Sequence, residues 1–206
     1  DEPREHSGGV KAITRTRFRA AVPRRAPSRA AAVARSRAFL CAPQYSMTER
    51  KSQQEKEVER VFNVAKTKLI AKLGRIALDE DQVDRAGRGL FAAHWHGVFH
   101  LGNFKPRKRA GGSYAVINTA RTDTSAGYHW LGAYTTPSGV TYLWDSFGRN
   151  IKKLAWPLAK RMGTGHTLVG GDGDAQQRGL SQTCGPQSLA WLLVARTLGI
   201  KAASLV

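Results

Sequence analysis

Cys184 stands in the run Ser181-Gln182-Thr183-Cys184-Gly185-Pro186-Gln187-Ser188, directly ahead of an apolar stretch at residues 189–195. This order predicts a thiol in the first turn of a hydrophobic helix. The unpaired N–H groups and dipole of a helix start favour an anion, and the thiolate is the nucleophilic form of cysteine. The chain has only two cysteines, too few for a disulfide framework and without the paired spacing of a four-ligand zinc site. Cys184 is therefore a candidate nucleophile, and a nucleophile of this kind needs a base.

A hairpin offers one. Residues 128–134 and 140–145 are rich in aromatic and β-branched side chains, and Thr135-Thr136-Pro137-Ser138-Gly139 between them has turn chemistry. A loop centred on Pro137 opposes Tyr134 to Val140 and, carried outward, His129 to Asp145. Directly opposed residues share a face, with Cβ atoms about 4.5–5.5 Å apart. A carboxylate at that distance can fix the tautomer and orientation of an imidazole. A slip of one residue would send the side chains to the other face. Cys184, His129 and Asp145 would then be the nucleophile, base and orienting acid of a cysteine hydrolase, provided the helix start reaches that face. The alternative is a surface His–Asp pair on an edge strand. An oxyanion hole is also needed; the Cys184 N–H is one donor, with Gln176, Gln177 and Gln182 as side-chain candidates.

His94, His96 and His100 are close enough in sequence to raise the question of a metal. The spacing of the first two suits a strand, with His100 on the same face. No carboxylate or cysteine stands nearby to complete a ligand set, so they read as partly buried structural histidines and no metal is expected.

The elements that must position these residues follow from periodicity. Residues 49–78 read as a helix, with Val58, Val61, Phe62, Ala65, Leu69 and Leu73 at spacings of three and four; Gly74 kinks or ends it. Residues 79–89 are polar and read as a loop marked by Gly87 and Gly89. A strand is expected at 114–118, a short basic helix interrupted at Pro157 at 151–162, another strand at 166–169 and a loop at 170–182. Gly199 can cap the Cys184 helix. The fold class is α+β: a small, mainly antiparallel sheet carrying His129 and Asp145, packed on a central helix that bears the nucleophile.

Composition bounds the partners. The 206 residues carry a formal charge of +18, which points to polyanions such as nucleic acid. Residues 1–46 are expected to form a basic, disordered N-terminal extension, with Cys41 an idle thiol, and residues 47–206 the folded domain. The chain has no apolar run near the ~20 residues that span a bilayer, so no membrane association is expected.

The ordered blocks resemble a known family, the adenovirus-type maturation proteases (adenain) and their relatives in other DNA viruses, virophages and polinton-like elements. Phe99-His100-Leu101-Gly102-Asn103-Phe104 is similar to the family's aromatic-x-Leu-Gly-x-aromatic segment, and Ala115-Val116-Ile117-Asn118-Thr119-Ala120 to its Ala-Ile-Val-Asn-Thr-Ala strand. Gly127-Tyr128-His129-Trp130 resembles Gly-x-His-Trp, Trp144-Asp145-Ser146-Phe147-Gly148 the acid-x-Phe-Gly block, and Cys184-Gly185 the nucleophile. Each block is weak alone; the ordered set, covering about half the chain, is specific.

The resemblance implies a cysteine endopeptidase that matures virions by cutting capsid and core precursor proteins at Gly-containing sites. It implies Cys184 as nucleophile, His129 as base, Asp145 as orienting acid, and Gln177, seven residues before the cysteine, as oxyanion donor. Gly127 and Trp130 would contact the substrate backbone. It also implies a monomer in the virion interior or infected cell that associates non-specifically with viral DNA. No cofactor is expected beyond DNA or an activating peptide. The family tethers such a peptide through a cysteine between acid and nucleophile, and no cysteine lies between Asp145 and Cys184 here. Ubiquitin-like-protein proteases share the His, Asp, Gln, Cys order and form the second expectation. A basic virion protein that keeps the fold without catalysis is the third.

Overall fold

The computed structural model describes residues 51–120, 129–162, 167–170, 175–178 and 181–206, all within the unit Met47–Val206. The basic segment 1–46, Gly127 and His166 lie outside the described residues.

Helix α1 (Gln53–Leu73) starts at a reciprocal cap: the Ser52 hydroxyl accepts from the Glu55 N–H, and the Glu55 carboxylate accepts from the Ser52 N–H. Val58, Phe62 and Leu69 are buried along one face. Gly74, at φ 94°, ends the helix rather than kinking it, so it is shorter than residues 49–78.

Helix α2 (Glu80–Phe91) occupies the segment expected to be a loop. Asp79 and Gln82 form a second reciprocal cap, and Val83, Gly87 and Phe91 recur every four residues on the buried face. Gly87 is there for packing: a Cβ would come within 2.3 Å of the Trp95 ring. Its helix cost of about 1 kcal/mol is offset by that close approach.

Strands β1 (Trp95–His100), β2 (Ser113–Asn118), β3 (Trp130–Thr135), β4 (Val140–Trp144) and β5 (Thr167–Gly170) form one sheet in sequence order. The sheet is mixed, not mainly antiparallel: β1 with β2 and β4 with β5 run parallel, while β2 with β3 and β3 with β4 are antiparallel. Parallel neighbours need crossovers. Residues 101–112 make the first; the second includes α3 (Ile151–Leu154) and α4 (Trp156–Arg161). The break between those helices falls at Ala155, and Pro157 sits in the first turn of α4, where its missing N–H costs nothing.

Helix α5 (Cys184–Leu198) lies against the sheet and is followed, past Gly199 at φ 84°, by α6 (Ile200–Ala203). Leu189, Leu192 and Val194 have no exposure and join Val58, Phe62, Val116 and Trp144 in the core of that layer. Gly132 lets the helix approach β3: a Cβ there would lie 2.9 Å from the Trp191 ring and 3.3 Å from the Ser188 carbonyl. The opposite face of the sheet is covered by Ile151, Ala155 and Leu158, which pack with Leu131, Ala133 and Leu143.

The three histidines do not converge. His94 belongs to a 3-10 turn, not to the strand, and its Nδ1 donates to the Gly112 carbonyl at 3.0 Å. His96 Nε2 donates to the Lys105 carbonyl at 2.9 Å, and His100 Nε2 lies 2.8 Å from Glu80 Oε1. The ladder register also shifts between Trp95 and Gly97, which breaks the simple alternation of faces.

Candidate active site

The β3–β4 hairpin has a different register from the one expected. Thr135 opposes Thr141, Tyr134 opposes Tyr142 and Gly132 opposes Trp144, two residues away from the pairing of Tyr134 with Val140. The turn explains it. The Thr136 N–H donates to the Val140 carbonyl at 2.8 Å, the Thr136 hydroxyl accepts from the Val140 N–H at 3.0 Å, and Gly139 supplies φ 95°. These bonds move the centre of the turn to Ser138.

A shift of two keeps every side chain on its face. His129, just before β3, and Asp145, just after β4, thus become diagonal neighbours on one face instead of directly opposed ones. Diagonal positions remain within reach of long side chains. His129 Nε2 lies 2.6 Å from Asp145 Oδ1, with both side chains almost wholly excluded from water.

Asp145 is held on both oxygens. Oδ1 also accepts from the Phe147 N–H at 3.0 Å, and Oδ2 accepts from Arg149 Nε at 2.6 Å. Burial opposes its ionisation, but the bonds from His129, Arg149 and Phe147 outweigh burial and hold the carboxyl at about 2.

Cys184 is the first residue of α5, as the apolar run after it predicts. One turn on, the Ser188 hydroxyl donates to the Trp130 carbonyl at 3.1 Å. This ties the helix start to the residue after His129, although α5 packs on the sheet face opposite His129. The two side chains meet at the end of the sheet. Asp145 takes Nε2 of the imidazole, which leaves Nδ1, buried and without a hydrogen-bond partner among the described residues, as the nitrogen that can act on the thiol. Burial pushes the Cys184 thiol up, but His129 and the N–H groups of Trp130 and Gly185 outweigh it, and the net direction is down. Burial likewise disfavours the imidazolium; Asp145 and then Cys184 reverse this, and His129 is raised. Both directions favour a thiolate–imidazolium pair.

Gln177 is buried and fixed to both sides of the site. Its N–H donates to the Ser146 carbonyl and its Oε1 accepts from the Ser146 hydroxyl, each at 2.8 Å; its Nε2 donates to the Ser181 carbonyl. Because Oε1 takes the Ser146 hydroxyl, Nε2 is the end turned to Ser181, and an amide nitrogen has a second hydrogen to donate. Gln176 instead binds the Val206 carbonyl, and Gln182 accepts from the Ala77 N–H.

The structure places the side chain of Trp130, expected at the substrate, within the core. The indole is buried, its N–H donates to the Leu78 carbonyl at 3.1 Å, and its ring lies close to Gly185 at the start of α5. A Cβ on Gly185 would meet Leu78 at 3.1 Å and the Trp130 ring at 3.3 Å, so the α1–α2 connection packs directly on the start of α5. Leu78, Ser146, Arg149 and Ser188 were not legible as site residues. Only Ser146 and Arg149 carry a signal, their position inside and just after the Asp145-Ser146-Phe147-Gly148 block.

No protein-family model matches the chain, and no curated protein matches it. Among the described residues no helix is long and apolar enough to cross a membrane.

Proposed function

We propose that the chain is a cysteine endopeptidase of the adenain type, acting on capsid and core precursor proteins at Gly-containing sites within virions. The observation that carries this reading is the convergence of Cys184, His129 and Asp145 at the end of one sheet. The Cys184 thiolate attacks the scissile carbonyl, and its charge passes to the carbonyl oxygen. The Cys184 N–H and Gln177 Nε2 receive that oxyanion. His129, protonated at Nδ1, gives its proton to the leaving amine as the C–N bond breaks. Water, deprotonated by the same nitrogen, then attacks the acyl carbon, the acyl–sulfur bond breaks, and the acid leaves with the thiolate–imidazolium pair restored.

The test is a side-by-side digestion of candidate capsid precursors and a Gly-Gly-ended ubiquitin-like fusion, each with the wild type and Cys184→Ala. The reading predicts Cys184-dependent cleavage of a precursor after small, Gly-containing sequences. Cleavage confined to the ubiquitin-like fusion, or none at all, overturns it.

A further inference from the structure

The acid of the site is itself gripped. Asp145-Ser146-Phe147-Gly148-Arg149 folds back on itself: the Gly148 N–H donates to the Asp145 carbonyl at 2.9 Å, and Gly148 adopts φ 64°, a conformation glycine takes without penalty. This reversal returns Arg149 to the carboxylate it follows by four residues. Its Nε donates to Oδ2 at 2.6 Å, with Asp145 wholly excluded from water and the arginine side chain 44% exposed. The guanidinium lies over the Phe147 ring, 5.5 Å from its centroid, and that ring in turn packs on His129 with centroids 4.7 Å apart.

We propose that Arg149 is a positioning residue of the site: through Asp145 and Phe147 it sets the orientation of His129 and the pH window of the thiolate–imidazolium pair. Resting on the reading of Cys184 and His129 as nucleophile and base, the inference follows from two properties of arginine. The Nε–H edge of a planar guanidinium fixes the carboxylate plane, and with it the direction of Oδ1 toward Nε2. Its permanent positive charge opposes the imidazolium and favours the thiolate, so it draws both ionisations to lower pH. Among the described residues, the ionisable groups acting on His129 are Asp145 and Cys184, the one acting on Cys184 is His129, and those acting on Asp145 are His129 and Arg149, so the arginine reaches the pair through Asp145. Arg149 is therefore the charge that can be changed without touching the reacting atoms.

The experiment is the rate of Cys184 alkylation by iodoacetamide against pH, read by peptide mass and free of any substrate, in a Cys41→Ser background. Arg149→Gln should move both the thiolate limb and the imidazolium limb to higher pH, by about half a unit or more. The Phe147 N–H still anchors Oδ1 in that variant, so the lost charge dominates. Arg149→Lys, which keeps the charge without the planar edge, should restore the limbs. Peptide cleavage by Arg149→Lys should still fall, about tenfold, in kcat rather than KM. Added methylguanidinium should shift the Arg149→Gln limbs back, where equal sodium chloride does not. Profiles of wild type and Arg149→Gln that superimpose overturn the proposal for Arg149 alone. A wild-type Cys184 that alkylates as an ordinary thiol overturns the reading of the site beneath it.

Discussion

Asp145 accepts three hydrogen bonds from a position closed to water, and this gives its carboxyl two measurable consequences. Held at about 2 instead of 3.8, it contributes stability that is fully present above about pH 4 and lost as pH falls through about 2. Wild-type Tm should therefore drop more steeply than that of Asp145→Asn between pH 4 and 2, and parallel slopes would contradict the assignment. At neutral pH the same substitution should lower kcat by about a hundredfold or more, because an amide no longer favours the imidazolium. His129 works in the opposite sense: its raised pKa adds stability below its ordinary value that is lost as pH rises through the raised one. Cys184, His129 and Asp145 were legible in the sequence because each belongs to a local pattern. Arg149 was not: its place just after the Asp145-Ser146-Phe147-Gly148 block is a signal, but the return onto the carboxylate depends on the backbone reversal at Gly148.

The hairpin shows why a face can be read more safely than a register. Its turn is closed by Thr136 and Gly139 instead of being centred on Pro137, yet displacement by two residues preserved the face shared by His129 and Asp145. Helix α2 was missed for a related reason. Two glycines and a polar composition suggested a loop and outweighed the Asp79–Gln82 cap, which is a local signal, while the packing of Gly87 and Phe91 against Trp95 is a tertiary fact. The parallel edges of the sheet were also illegible, since crossover direction is set by packing and not by strand composition. Asp79→Ala should cost about 0.5–2 kcal/mol in chemical denaturation. It should also reduce activity beyond the unfolded fraction, because Leu78 beside it supports Trp130 and Gly185. Gly132→Ala should destabilise by about 1–3 kcal/mol, since neither the Trp191 ring nor the Ser188 carbonyl can yield without moving α5. A neutral result would mean that helix and strand are less closely packed than 2.9 Å implies.

Charge acts on the molecule as a whole. Residues 51–206 retain 22 of the 33 basic side chains and 11 of the 15 acidic ones, so a net +11 remains without the first fifty residues. Lys105, Arg107 and Lys108 are exposed on the β1–β2 crossover, and Lys152, Lys153 and Lys160 are exposed on α3 and α4. On the proposed reading this charge keeps the enzyme on packaged DNA, in a sequence-independent way that weakens steeply with salt. Replacing Lys105, Arg107 and Lys108 with Gln should reduce the slope of log K against log salt by about one for each phosphate interaction removed, measured by fluorescence anisotropy on a duplex of arbitrary sequence. An unchanged slope would place the DNA-binding surface elsewhere. The α+β class and the central helix were legible from the sequence, since they follow from hydrophobic patterning over long segments. How helix α5 reaches His129 from the opposite face of the sheet was not, because it depends on Ser188, Leu78 and Gly132 meeting across three elements.

The central claim is that Cys184 is a nucleophile driven by His129. The most direct measurement is covalent labelling by a Gly-ended peptide vinyl sulfone, with the modified residue identified by mass and the rate compared across variants. The account predicts a single adduct on Cys184, its loss in Cys184→Ala, and a rate at least about a hundredfold lower in His129→Ala. Labelling of Cys41 and Cys184 at similar rates, or a Cys184 rate indifferent to His129→Ala, would contradict it.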